Sequence, residues 1–398
     1  MPSRRDLLAG LAGAGLAGTA GCLAADDPFS AGDDATTDWP MARHDPANTA
    51  YAPDAVAPRT GVTERWSRDP DADVRTPAVA DGTVFTPGMA GLTALDAATG
   101  ETLWRYAPGE QAWPAPPTVV DGVVYVTMLD EDSVHAVDAE TGDDLWTVTG
   151  VAAGDVSPHL YGDPFDDADS PLVVGGEDGL VVGLDPATGE ERWRLDVFGR
   201  VRRLAHRHTG LYVGTTGGAV YAFSTASGDR PHEWWRTKVD SRVDAIVPAD
   251  NGVVVSTFGG PLTNLRDGHG GTTDWTAERR HARSPPVKAS SWVYSAGWDS
   301  VSALRVYDKN LQWRAGGDFG STAPVAAGDT LYVPSQDTIH AYDLAGGTGG
   351  GGLTFGAERW SQTLDADFVQ GLAVGDGALF VACEARDGGD SLFRLDPA

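Results

Sequence analysis

Two cysteines, Cys22 and Cys383, are all that the 398 residues contain, which excludes a disulfide framework and any cysteine-based zinc or iron–sulfur site. Lysine is nearly absent: Lys238, Lys288 and Lys309 are the only three, so arginine supplies 26 of the 29 positive charges. Against 57 acidic residues the formal net charge is −28, and such a surface repels phosphate backbones, so nucleic acid is not an expected partner. No apolar run reaches the roughly 18 residues that a membrane-spanning helix needs. What the chain does have is a 41% hydrophobic share, too high for disorder, with 51 Gly, 25 Pro and 13 Trp. The length suits one large all-β domain or two smaller domains.

The acid-rich, lysine-poor composition resembles that of proteins from extreme halophiles, where dense salt screens the self-repulsion of such a surface. On a surface of that kind an isolated carboxylate cluster is weak evidence for a metal site. At the start of the chain, Arg4-Arg5 precedes an Ala/Gly/Leu stretch from Leu7 to Gly21, too short and too weakly apolar to span a bilayer. Ser3-Arg4-Arg5-Asp6-Leu7-Leu8 looks like a twin-arginine export signal. Thr19-Ala20-Gly21-Cys22 resembles a lipobox, whose cysteine carries the lipid, although Thr19 departs from the usual Leu or Val. The expectation is a signal peptide over residues 1–21 and a lipidated Cys22 with an acidic tether over 22–38. The folded part, residues 39–398, then sits on the outer face of the cytoplasmic membrane.

Segments aligned on a terminal Trp read LDAATGETLW (95–104), VDAETGDDLW (137–146) and LDPATGEERW (184–193), with FSTASGDRPHEWW (223–235) a looser copy. Trp66, Trp104, Trp146, Trp193, Trp235, Trp275, Trp313 and Trp360 follow one another at intervals of 38 to 47 residues. Repeats of that length built from short strands predict a β-propeller. Each unit reads as four strands, A to D, and its A–B turn recurs as ADGTVF, VDGVVY, DNGVVV, AGDTLY and GDGALF, a hairpin signal. Runs such as VVYVTM are apolar at consecutive positions, so both faces of those strands must be covered by neighbouring blades. The chain stops at SLFRLDPA, a C strand without its D strand, and the extra strand at Trp66 can fill that place. The fold expected is all-β: an eight-bladed propeller of four-stranded antiparallel blades, closed by pairing the N-terminal strand into the last blade. The Trp residues read as structural wedges between blades.

With Ala136-Val137-Asp138-Ala139-Glu140-Thr141-Gly142 followed by Trp146, the chain resembles the PQQ-like (pyrroloquinoline quinone) propeller repeat family, in which this is the tryptophan-docking motif. The resemblance covers about residues 39–398; it weakens where Arg266-Asp267-Gly268 and Tyr307-Asp308 replace the full motif. DWPMARHDPANTAYAP (38–53) resembles the lead-in of many secreted members. The family includes quinoprotein alcohol dehydrogenases and the assembly lipoprotein of the bacterial outer-membrane insertion machinery, so the resemblance implies the fold and leaves the function open. For a dehydrogenase it implies adjacent cysteines beside the quinone, a calcium site and a catalytic Asp. Here the cysteines are not adjacent, and no residue can be matched to that Asp. No catalytic residue, metal ligand or cofactor is therefore expected, with PQQ and calcium kept as the alternative.

Other chemistry-bearing patterns are thin. His206-Arg207-His208 is assigned to an A–B turn, where a solvated turn is favoured over a metal clamp. Asp163, Asp166, Asp167 and Asp169 lack the Gly and Glu of a calcium loop. Strand alternation places the variable D–A and B–C loops on one face of the disc. The candidate binding face there carries Arg75, Trp113, Arg200, Arg202, Asp244, Trp298 and Gln370, with Met89, Glu131, Glu177, Asp299 and Arg386 in the B–C loops. The leading functional expectation is a monomeric, lipid-anchored, non-catalytic scaffold for an unknown protein partner. The alternative is a quinone-binding oxidoreductase, or a propeller that binds a small molecule or glycan at the channel mouth.

Overall fold

The computed structural model describes residues 38–398 apart from 72, 110–111, 130–131, 152–155, 161–169, 227–229, 251, 278–282, 348, 351–352 and 355–357. The export signal, Cys22, most of the acidic tether, Glu131 and the acidic loop over 162–169 therefore lie outside the described residues. No helix among the described residues is long and apolar enough to cross a membrane.

Eight four-stranded antiparallel blades are arranged as the repeats predict, the seventh carrying in addition the short strand Tyr51–Ala52, which pairs in parallel with its inner strand. The second blade is representative: Thr118–Val120, Val123–Met128, Ser133–Asp138 and Asp144–Thr149 pair in sequence order. The B and C strands are buried at almost every position, because each lies between two neighbouring sheets. The D strand alternates in exposure, since it forms the outer edge. At the A–B turn, Asp121 and Gly122 adopt φ of 50° and 75°. Two consecutive positive φ values are what a tight hairpin turn demands and what Asp-Gly supplies. The eighth blade takes its first three strands from the C-terminus (Ala366–Gly375, Ala378–Ala385, Leu392–Pro397) and its fourth from Val62–Arg68, with Trp66 opposite Arg394. Pairing Val62–Arg68 with Leu392–Pro397 completes the last blade and closes the ring.

Among the described residues, seven of the seams between blades are stitched by an indole Nε1–H. Trp66, Trp104, Trp146 and Trp313 each donate Nε1–H to a backbone carbonyl of the next C–D turn, those of Ala97, Ala139, Pro186 and Leu344, at 3.0 Å. The turn must come close to allow this. A Cβ on Gly142 would lie 2.8 Å from Cδ2 of Trp104, and the residue has φ 77°, so only glycine fits. Asp138 holds the same turn by accepting the N–H and hydroxyl of Thr141, and these bonds keep its carboxyl below the ordinary value. Where the motif weakens, the chemistry is replaced: Trp235 donates to the Asp267 carboxylate at 3.2 Å, and Tyr212 donates to the same group at 2.6 Å.

The segment from Trp39 to Ala52 has a different role from any blade. It runs around the inside of the ring and bonds to the innermost strands one after another. Trp39 exchanges two backbone bonds with Val79 of the first blade, and Val119 of the second donates to Pro40. His206 of the fourth donates to Pro46, Lys288 of the sixth to Thr49, and Ala326 of the seventh to Ala50. The Asn48 side chain reaches the third, fourth and fifth blades. These contacts fall beside the A–B turns, so the strap closes the channel at that end. His206 is consequently not in a solvated turn as expected. It belongs to the inner strand Val201–Arg207, is 4% exposed, and the strap covers it. Burial pushes its pKa down to about 3.

Candidate functional site

With one end closed by the strap, the channel becomes a cup that opens among the D–A and B–C loops. Its volume is about 200 Å³. Met41, Arg43 and Asn48 of the strap form the floor, and the mouth ends of the inner strands form the wall, with Thr76, Arg202, Arg203, Asp244, Thr322 and Gln370 among them. Successive blades each present one strand end to the axis, so residues nearly 300 positions apart in sequence face one another.

The floor is electrostatically unusual. Arg43 donates to the backbone carbonyls of Pro286 and, at 3.3 Å, Pro324. Its pKa is lowered to about 9, chiefly by desolvation; the Asp45 charge opposes that shift and the neighbouring Arg203 charge adds to it. Arg203 in turn donates Nε–H to the Asp244 carbonyl at 2.7 Å. Asp244 binds Arg242 through its carboxylate at 2.8 Å. Beneath the floor, His159 faces Asn48 at 3.3 Å, and burial holds its pKa down at about 4, so it is neutral at pH 7. The cup thus pairs buried positive charge with hydroxyl and amide groups, an arrangement that favours an anion.

The candidate residues divide into groups. Arg202, Asp244 and Gln370 line the cup. Arg75 and Trp113 form a stack at its edge, 5.3 Å from guanidinium carbon to ring centre. Asp73 links that stack to Gln370, at 3.5 Å from Arg75 and 3.0 Å from Gln370. Arg200 pairs with Glu177 at 2.9 Å, and neither lines the cup. Trp298 lies apart from the cup, 60% exposed, with the Arg283 guanidinium 3.9 Å over its ring. Asp299 binds Arg314 at 2.9 Å, Arg386 is held by Asp337, Asp365 and Asp367, and Met89 is exposed. The eight seam Trp residues lie away from the channel, each on a D strand or its equivalent. Arg43, Arg203 and Asn48 were not anticipated from the sequence. Arg203 had a signal, its adjacency to Arg202 at a strand mouth; the strap residues had none in the repeat pattern.

The quinone–calcium pair that the resemblance implies for a dehydrogenase is poorly matched by this lining. Guanidiniums suit carboxylates, but among the described residues Asp244 is the one carboxylate in the wall and is already bound to Arg242. Among the described residues no group of three or more His, Cys, Asp or Glu is placed to hold a metal ion. Cys383 is buried in the last blade, where desolvation pushes its thiol pKa up to about 12.

The PQQ_2 family profile, described as outer membrane protein assembly factor BamB, matches residues 54–208 and 177–297. A quinohemoprotein alcohol dehydrogenase of Pseudomonas putida is 31% identical over 210 residues, covering 45% of this chain and 29% of that protein. The outer membrane protein assembly factor BamB of Nitrosomonas eutropha is 29% identical over 123 residues, covering 31% of this chain and 28% of that one. The chain therefore spans under a third of the length of these curated relatives. Among solved structures, the quinohemoprotein alcohol dehydrogenase of Comamonas testosteroni superposes with a TM-score of 0.66 at 13% identity, over 91% of this chain and 80% of that one. At that identity the likeness speaks for the fold alone.

Proposed function

The chain belongs to the PQQ_2 family, and from that premise we propose that it is a binding module whose ligand is a small anion held in the cup at the channel mouth. The observation that carries this reading is the floor: a half-buried Arg43 within the electrostatic reach of Arg203, both lining the cup. Two like charges held close together repel each other, and a carboxylate or phosphate between them reverses the sign of that interaction. At about 200 Å³ the cup is smaller than the roughly 300–1,000 Å³ of cofactor-sized pockets. The ligand is accordingly a small acid and not a tricyclic quinone.

The module works outside the cell, exported through its Arg4-Arg5 signal and tethered by lipid at Cys22; the order of those segments in the sequence supports this. The chain leaves the ring at Asp38, next to the first blade's A–B turn, so the cup opens on the face opposite its attachment. The acidic, lysine-poor surface suits a salt-rich medium. A second reading, a scaffold for a protein partner, is favoured by exposed aromatic rings outside the cup, Phe258 and Trp298.

Thermal melting of the full chain against small mono-, di- and tricarboxylates and inorganic phosphate tests the first reading. A ligand at 100 times its Kd stabilises by about 2.7 kcal/mol. The expected result is a carboxylate or phosphate that raises the melting temperature of the wild type and not of Arg203→Met. Silence across the panel, or a shift that survives Arg203→Met, refutes the cup as the site. Stoichiometric retention of pyrroloquinoline quinone with calcium replaces it with the dehydrogenase reading.

A further inference from the structure

The loops of the open face form a band in which apolar and charged character are separated. Over the fifth and sixth blades, Phe258 and Trp298 are 63% and 60% exposed, yet each is fixed from behind by an arginine. Arg242 lies 4.4 Å over Phe258 and Arg283 lies 3.9 Å over Trp298. The band then turns acidic. Arg283 binds Asp318 at 3.1 Å, and beyond it over the seventh and eighth blades come Asp337, Asp365 and Asp367 around the single Arg386. Asp365 is 90% exposed at its side chain and Asp318 is 71% exposed.

We propose that this band docks a protein segment that carries lysine or arginine beside an apolar anchor, with the anchor on Phe258 and Trp298 and the cations on Asp318, Asp365 and Asp367. The inference gives chemistry to the scaffold reading and rests on it; it is independent of the anion in the cup. Charge complementarity selects the occupant. One arginine cannot neutralise the three carboxylates it touches, so the acidic part of the band retains negative charge. The net charge of −28 steers cationic surfaces toward the molecule and repels acidic ones. The apolar part supplies what charge cannot. An exposed indole already held in one orientation loses little side-chain freedom on binding, and Trp and Arg are the residues that dominate interface energetics. A segment that was only cationic would leave the two rings uncovered, and one that was only apolar would leave the surplus negative charge around Arg386 uncompensated.

Panning a displayed library of random 16-residue peptides on the full chain tests this, with counter-selection on the double variant Phe258→Ser/Trp298→Ser. Both rings are exposed, so the variant is expected to fold, and an unchanged melting temperature verifies it. The expected outcome is enrichment of peptides with two or more Lys or Arg close to an aromatic or aliphatic residue. A peptide so selected should dissociate at least tenfold faster from the double variant. From Asp318→Asn/Asp365→Asn/Asp367→Asn it should associate severalfold more slowly, an effect that vanishes as salt rises. Enrichment of acidic or charge-free peptides overturns the proposal. So does binding that ignores the two rings, which marks a non-specific polycation effect. Capture by a glycan array that depends on Trp298, with no peptide enriched, assigns the band to sugar instead and equally overturns it.

Discussion

Asn48 offers the sharpest test of whether the strap is part of the folded ring or a segment lying on it. Its side-chain amide donates to the carbonyls of Leu204 at 2.6 Å and Ile246 at 3.3 Å, while its oxygen faces His159 Nε2 at 3.3 Å. One side chain thus ties three blades, at 7% exposure and with φ 55°. In Asn48→Ala the donated bonds vanish, and two buried carbonyls and an imidazole lose a partner. Net hydrogen bonds are worth about 0.5–1.5 kcal/mol each, and stranding buried partners costs about 1–3 kcal/mol. Alanine also tolerates the left-handed backbone less well than asparagine, by about 1 kcal/mol. The expected loss is about 3–5 kcal/mol. Asn48→Gly removes the same bonds but relaxes the backbone, so it should lose about 1 kcal/mol less than alanine.

Urea denaturation at fixed salt, followed by tryptophan emission, measures both variants, since urea leaves the ionic strength unchanged. If Asn48→Ala costs under 1 kcal/mol with an unchanged slope, the strap frays before the blades unfold and the channel floor is not a fixed surface. If glycine costs more than alanine, the backbone argument is wrong, whatever the hydrogen bonds contribute.

Trp313 is fully buried and donates to Leu344, so Trp313→Ala should lose about 3–5 kcal/mol in the same assay, whereas Trp313→Phe should lose distinctly less because it retains most of the ring. Acid should destabilise the protein between pH 6.5 and about 4. His159 and His206 titrate at about 4 and about 3 when folded, so the unfolded chain binds more protons in that window and stability is lost as pH falls. His206→Gln should flatten that acid limb, as read from melting temperature against pH. Asp267 acts with the opposite sign: desolvation raises its folded pKa above 3.8, so its share of stability is present at low pH and is lost as pH rises through the folded value. Asp267→Asn should remove that slope. The Cys383 thiol should react with a disulfide reagent at pH 8 only once urea has opened the last blade.

The ring was legible because its determinants repeat. Asp121-Gly122 marks a hairpin wherever it stands, and Gly142 with Trp104 marks a seam, since an indole can reach the turn only if no Cβ intervenes. Where the motif fades at Asp267, the seam survives through a carboxylate, which no search for a repeated Gly would find. The strap was legible only as a lead-in. Its bonds go from irregular backbone to seven different blades, and its positive φ values at His44, Asn48 and Ala50 follow no period. Local sequence carries no trace of such long-range partners. The misplacement of His206 has the same origin, because nothing near residue 206 reports that Pro46 covers it. Of the residues that alternation assigned to the loop face, Arg202, Asp244 and Gln370 line the cup, a placement that needs only strand direction. Which arginine then stacks on which ring depends on loop geometry.

The division between seam and mouth also explains why one chain is similar to both a dehydrogenase and an assembly factor. The positions that recur within this chain, the turn Asp and Gly and the outer Trp, belong to the C–D turns and D strands, on the far side of each blade from the cup. They determine that blades stack, and they do so equally well whatever the opposite loops carry. A profile built on them measures the ring and is silent about the mouth. Function must therefore be read from what breaks the eightfold symmetry. In this chain two features do so: a strap that places one arginine at the axis, and a band that is apolar on one arc and acidic on the next. The exposed rings and carboxylates of the band lie away from the seams, so they can be altered without loss of the ring, and a change in binding that follows such an alteration reports on the mouth and not on the fold.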